Sequence, residues 1–280
     1  MIASPLPRER LLFAAKTLPA APQILARLGD LLRDPEVSLD DIIVLLRRDP
    51  GLTTLVMRVA NSAAYNSGAS FESLEQALPR VGLSEVYRLT GLAAAAQLAD
   101  RSLPFYGISG ARLRENSLYT GLAVETLARL ARMDPRPAYT AGLLRSIGKI
   151  VLDRLMRDPV YSSGYAPRRE HPLGEWESAV VGLSNTEAAA IILAEWHFPG
   201  KTITTIADHY SPTAESPALA TLLNLAAGMA EQCGHALPGE TGYWQITPEM
   251  LAVAGLDQPA IERARDSVET VFASVRAALS

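Results

Sequence analysis

Apolar residues recur at helical spacing along almost the whole chain, and helix-start signals punctuate them more often than hairpin turns do. Leu52, Leu55, Val56 and Val59 follow the i, i+3, i+4, i+7 rule of a half-buried helix. Asp49-Pro50 just before them supplies an N-cap acceptor and a proline at the first helical position. Ser38 with Asp41, and Ser73 with Gln76, have capping-box spacing, and Ser84 is placed to start the segment running to Leu98. Further helices are expected over 111–132, 135–145, 148–157, 173–182, 185–197, 200–209 and 216–233, with a helical tail at 247–254 and 259–279. Alternating β-branched segments are almost absent, Lys201–Ile206 being the one ambiguous stretch. The expected fold class is all-α.

Periodicity stops at Ser102–Gly110, where Pro104, Gly107 and Gly110 crowd together. This is the natural boundary between an N-terminal helical subdomain, 1–105, and a second helical subdomain with its tail, 106–280. The composition, 48% hydrophobic and 20% charged, can fill one large core or two smaller ones. No apolar run approaches the roughly 18 residues a bilayer requires, and the first residues lack the order of a signal peptide. The single cysteine, Cys233, excludes an internal disulfide framework and fits a reducing compartment, so a cytoplasmic protein without membrane partners is expected. The formal charge of −4 argues against nucleic acid as a partner, because neutralising phosphates supplies most of such affinity. Arg168-Arg169 reads as a solvated turn.

Several phrases together resemble the HDOD family, the HD-related output domain of bacterial signalling proteins. They are Leu18-Pro-Ala-Ala-Pro22, the run from Asp49-Pro50 to Asn61-Ser62, Ser73–Leu78 with Val81-Gly82-Leu83, Ala141–Lys149, and Gly182 through Glu187 and Trp196 to Pro199. They fall in the family's order across residues 15–235. The resemblance implies two packed helical subdomains, the C-terminal one like an HD phosphohydrolase. For function it implies signalling, in two-component or cyclic-dinucleotide systems, mostly through protein contacts.

HD hydrolases converge histidines and aspartates on divalent metal, which activates water against a phosphoester. In this sequence the His-Asp doublet of that pattern falls on Arg145-Ser146, the upstream histidine on Asn116, that of the next helix on Asn185, and the late aspartate on Ala227. His209 alone stands where a histidine is expected. A metal site needs about three protein ligands, and a fixed guanidinium repels a cation. No metal, no cofactor and no catalytic activity are therefore expected. There is also no Walker-type phosphate loop or Gly-x-Ser-x-Gly elbow, and Ser146 has no identifiable base. Cys233 and His235 read as a small buried thiol beside a helix end, not as a reactive pair.

Two readings of the vacated cleft stay open. Arg145, Lys149, Asn116 and Asp208 could contact a nucleotide or another anion, making the protein a ligand sensor. Alternatively Arg145 pairs with an acid such as Glu187 and plugs the cavity. Asp49, Pro50, Asn61 and Ser62 are motif positions with a structural reading, the Asn61 amide tying two segments together. Trp176 and Trp196 read as core, and Trp244 as a surface contact. The favoured function is a non-catalytic response-regulator-type output module, in effect a pseudoenzyme, whose partners are signalling proteins.

Overall fold

The structure, a computed structural model, describes residues 8–62, 68, 70–161, 164–165, 172–244 and 246–279. Arg168, Arg169 and His171 thus lie outside the described residues. Those described form helices, with one isolated antiparallel bridge, between Leu103 and Ile108. None of these helices is long and apolar enough to cross a membrane.

The first half comprises α1 (Arg8–Ala15), α2 (Ala21–Leu31), α3 (Leu39–Leu46), α4 (Pro50–Ala60), α5 (Leu74–Val81) and α6 (Leu83–Leu98). Local signals set several of these starts. Ser38 and Asp41 form a reciprocal capping box on α3, and Asp49 Oδ1 accepts the Leu52 N–H at 2.8 Å to open α4. The Ser73 box is not made. Ser73 gives α5 no cap bond, and Gln76 Oε1 instead accepts the Glu72 N–H at 2.8 Å. Gly82, at φ +84°, ends α5 and releases α6 directly, so α6 begins at Leu83 without using Ser84 as a cap.

Residues 103–108 fold into a tied turn. Leu103 and Ile108 exchange backbone hydrogen bonds around a single 3₁₀ turn, Pro104–Tyr106. The second half follows as α7 (Gly110–Leu130), α8 (Pro135–Leu144), α9 (Ile147–Met156), α10 (Leu173–Val181), α11 (Asn185–Glu195), α12 (Gly200–Asp208), α13 (Ala218–Gln232), α14 (Pro248–Val253) and α15 (Gln258–Leu279). The ambiguous stretch Lys201–Ile206 is helical inside α12. Its buried residues, Thr202, Thr205 and Ile206, lie at helical spacing, and α12 packs on α8, α11 and α13. Burial of that face overrides the weak helix preference of β-branched residues.

One connected cluster of buried side chains runs through both halves. α1 packs on α9 and α11, α2 on α8, and α6 on α7 and α8. At the centre, α7 and α8 cross closely because glycine meets glycine, a Cβ on Gly142 falling 2.6 Å from the Gly121 Cα. That crossing fixes Asn116 on α7 relative to the end of α8, where Arg145 stands.

Candidate functional site

The residues at the HD positions are gathered around the junction of α8 and α9. Arg145 follows the last residue of α8, Ser146 precedes α9, and Lys149 lies in the first turn of α9. Asn116 comes from the middle of α7, Asn185 opens α11, His209 follows α12, and Ala227 sits on α13. All are buried, Arg145 and Lys149 included. A buried cation must be paired, and the acid that pairs these two is Glu240.

Glu240 sits in a turn after α13, between Gly239 and Gly242, which both have positive φ. Its carboxylate takes a two-pronged contact from Arg145, Nη1 to Oε1 at 2.9 Å and Nη2 to Oε2 at 2.8 Å. Lys149 Nζ donates to the same Oε1, as does Tyr210 Oη at 2.8 Å. Lys149 also donates to Tyr210 Oη at 2.9 Å. Arg145 Nη2 spends its other bond on Asn116 Oδ1 at 2.6 Å, and Asn116 Nδ2 donates to the His235 carbonyl at 2.7 Å. The Trp244 ring covers the guanidinium, its centroid 5.3 Å from the Arg145 carbon. Trp244 is therefore buried against the site and not a surface contact.

The acid partner expected for Arg145, Glu187, is engaged elsewhere. It closes a capping box with Ser184 at the start of α11. Asp208 is likewise outside the cluster, accepting the Ser216 hydroxyl at 2.7 Å. One residue of helical rotation separates it from His209, and the two side chains diverge accordingly.

A second buried carboxylate, Glu177 of α10, accepts the Asn185 N–H at 2.7 Å, the Asn185 side-chain amide at 3.0 Å and the Tyr106 hydroxyl at 2.8 Å. Burial pushes the Glu177 carboxyl up, and the Lys149 charge works against that. Burial also works to raise Glu240, but the Arg145 and Lys149 charges outweigh it and hold that carboxyl well below the usual range. Lys149 is pushed down by burial, against the pull of Glu240. Two buried cations thus share the Glu240 carboxylate, and Lys149 also feels the charge of Glu177.

A divalent ion does not fit this donor set. Arg145 and Lys149 already place two positive charges there, and the side chains at the ligand positions are an amide, a guanidinium, a hydroxyl, an amide and a methyl group, beside one imidazole. Among the described residues no three of His, Cys, Asp or Glu cluster so as to hold a metal. An anion fares little better, since most of the donors it would use are spent on Glu240, Asn116 and Tyr210.

His209 is sealed within the cluster. Its Nδ1 lies 2.7 Å from the Ile206 carbonyl, so Nδ1 carries the proton, and Nε2 has no partner among the described residues. Its ring lies against Tyr210 and Trp244. Burial, and then the Arg145 charge, lower its pKa from 6.5 to about 3. The unfolded chain therefore binds an extra proton between those values. Its contribution favours folding fully above about pH 6.5 and is lost as pH falls toward the folded value. Urea midpoints measured on the acid side of neutrality should fall more steeply for the wild type than for His209→Phe, by up to about 1.4 kcal/mol per pH unit. Parallel pH profiles would contradict a buried neutral imidazole.

The other motif residues serve local structure. Pro50 opens α4, and Asn61 at its far end pairs with the Phe71 backbone, Nδ2 to O at 3.0 Å and N–H to Oδ1 at 2.7 Å. Ser62 follows, half-buried, in the turn after α4. Cys233 Sγ receives the Tyr119 hydroxyl at 3.0 Å, and burial pushes its pKa up. His235 packs instead between the rings of Tyr119 and Phe272.

Comparison with known proteins agrees with this architecture. Among solved structures, an HDOD domain protein with unknown function from Geobacter sulfurreducens superposes with a TM-score of 0.67 at 20% identity, covering 95% of this chain and 97% of that one. A provisionally named signal transduction protein from Marinobacter aquaeolei VT8 gives 0.65 at 21%, over 96% of this chain and 64% of its own. A provisionally named phosphohydrolase from Shewanella amazonensis SB2B gives 0.62 at 20%, over 97% and 98%. At these identities the likeness is one of fold. An uncharacterized protein of Treponema pallidum (strain Nichols) is 23% identical over 266 residues, 93% of this chain, and the chain spans half the length of that relative. The sequence profile of the HDOD domain matches residues 18–212, well over half of the sequence, and the chain belongs to that family.

Proposed function

We propose that the chain is a non-catalytic output module that acts through contacts with signalling proteins, in two-component or cyclic-dinucleotide control. The observation that carries this reading is the bonded plug of Arg145, Glu240 and Lys149 where a hydrolase of this fold would gather metal ligands. A fixed cation in that position opposes a catalytic divalent ion, and Ser146 Oγ has no hydrogen-bond partner among the described residues that could act as its base. The name of the Marinobacter relative, a signal transduction protein, supports the signalling half of the proposal.

The test has two parts. Protein purified from native cells, analysed for Mn, Fe, Ni and Zn, should carry none at stoichiometric level, and with Mn²⁺ added it should hydrolyse generic phosphodiesters no faster than the blank. One equivalent of any of these metals, or turnover that His209→Phe abolishes, would overturn the non-catalytic reading. Affinity capture of the tagged chain from its own cells should recover receiver, sensor or cyclic-dinucleotide proteins reproducibly. Failure to enrich any of these would count against the signalling contacts alone.

A further inference from the structure

A second concave site lies away from the plug, where segments on either side of the 103–108 turn meet. It is a cleft of about 550 Å³ between the α1–α2 connection, the end of α6 and the outer face of α9. That volume lies within the usual range for small-molecule sites, about 300–1,000 Å³. Its lining is chemically mixed. Pro19, Leu98, Leu103 and Ile150 supply apolar groups, and Arg101, Arg154, Arg157 and Asp100 supply charged ones. With Asp100 in the lining and Asp153 paired to Arg157, the three arginines leave a net +1 there, on a chain whose formal charge is −4.

The arginines are held differently. Arg157 is occupied, bonded to Asp153 at 3.0 Å and to the Ser102 carbonyl at 3.0 Å. Arg154 and Arg101 take part in no ion pair among the described residues. Among the described residues Arg154 bonds to the Thr17 hydroxyl, which fixes its direction without neutralising it. Burial, then the charges of Arg101 and Arg157, push the Arg154 pKa down, and the nearby Asp153 carboxylate offsets this only in part. Such crowding is unfavourable in the empty protein and is relieved by an anion. Guanidinium forks suit the oxygens of a phosphate.

We propose that this cleft binds a phosphate-bearing small molecule of nucleotide size. Its phosphate would rest between Arg101 and Arg154, its ring system against Leu98, Leu103 and Ile150, and Asp100 and Gln97 would meet its hydroxyl or amino groups. The occupant would touch residues from before and after the turn and tie both halves to α9, the helix that also carries Lys149 into the plug. The site is separate from the plug and does not rest on the non-catalytic reading.

Calorimetric titration of the whole chain tests it, using adenosine and guanosine monophosphates, their cyclic dinucleotides, the guanosine tetraphosphate alarmone, inorganic phosphate and unphosphorylated guanosine. At least one nucleotide is expected to bind saturably at one or two per chain. Arg101→Ala and Arg154→Ala should each weaken it about tenfold or more, the size of a lost charge-assisted contact. Arg101 is exposed and makes no side-chain hydrogen bond among the described residues, so its variant should keep the wild-type urea midpoint and isolate binding from folding. Inorganic phosphate alone, or guanosine alone, should bind far more weakly. No nucleotide binding at millimolar concentration would overturn the proposal. So would binding unchanged in Arg101→Ala, or inorganic phosphate binding as tightly as any nucleotide. None of those results would alter the metal and hydrolysis tests of the plug.

Discussion

Glu240→Gln is expected to destabilise the protein by about 3–5 kcal/mol, the usual loss when one partner of a buried charge pair is removed. The substitution keeps the side-chain shape and one oxygen acceptor, but it deletes the charge and turns the other oxygen into an NH2 donor that faces donors. Arg145 and Lys149 then remain as buried cations without an ion-pair partner among the described residues, and Glu177, whose charge reaches Lys149, is already engaged by Asn185 and Tyr106. Domains are stable by only about 5–15 kcal/mol, so a loss of this size should be plain in the urea midpoint. The Trp244 environment should loosen with it, since that ring lies over the guanidinium. Adding Lys149→Met to Glu240→Gln removes one stranded cation and should recover part of the loss, which a double-mutant comparison would resolve. A Glu240→Gln midpoint equal to wild type would mean that the carboxylate does not neutralise the cluster.

The same cluster marks the limit of what the sequence could disclose. Arg145 and Ser146 can be singled out in the sequence because a departure inside a short phrase is read in place, and the structure puts both in the buried cluster. Glu240 cannot, because it stands 95 residues from Arg145 in a glycine-flanked turn, where no periodicity separates a buried acid from a solvated one. It also lies beyond residue 212, where the family profile ends. Glu187, the acid expected to pair with Arg145, stands in Ser184-Asn-Thr-Glu187, itself a capping-box sequence that commits it to the start of α11. Local signals fared according to how local they were. Ser38 with Asp41 and Asp49 with Pro50 set real helix starts, since each cap acts within one turn. Ser73 with Gln76 had the right spacing and still made other bonds. Trp244 was misplaced for the same reason as Glu240: its partner, Arg145, comes from a distant helix end.

Gly148→Ala should be as damaging as any change to the charges, for a reason confined to the backbone. Gly148 lies in the first turn of α9, where that helix meets the start of α11. A Cβ there would overlap the Asn185 carbonyl oxygen and fall 2.7 Å from its carbon. No rotamer relieves contact with a main-chain atom, so one helix must move. Overpacking typically costs about 1–3 kcal/mol and occasionally more, and here displacement would carry Asn185 away from Glu177 and Lys149 away from Glu240. The expected loss is therefore about 3 kcal/mol or more, read from the urea midpoint. Gly174→Ala on α10 is the matched control, because nothing lies within 4 Å of its Cβ position. Alanine is the better helix former by about 1 kcal/mol, so that variant should be neutral or slightly more stable. Equal midpoints for Gly148→Ala and Gly174→Ala would show that α9 and α11 do not cross so closely, and the positions of Asn185 and Lys149 in the plug would then need revision.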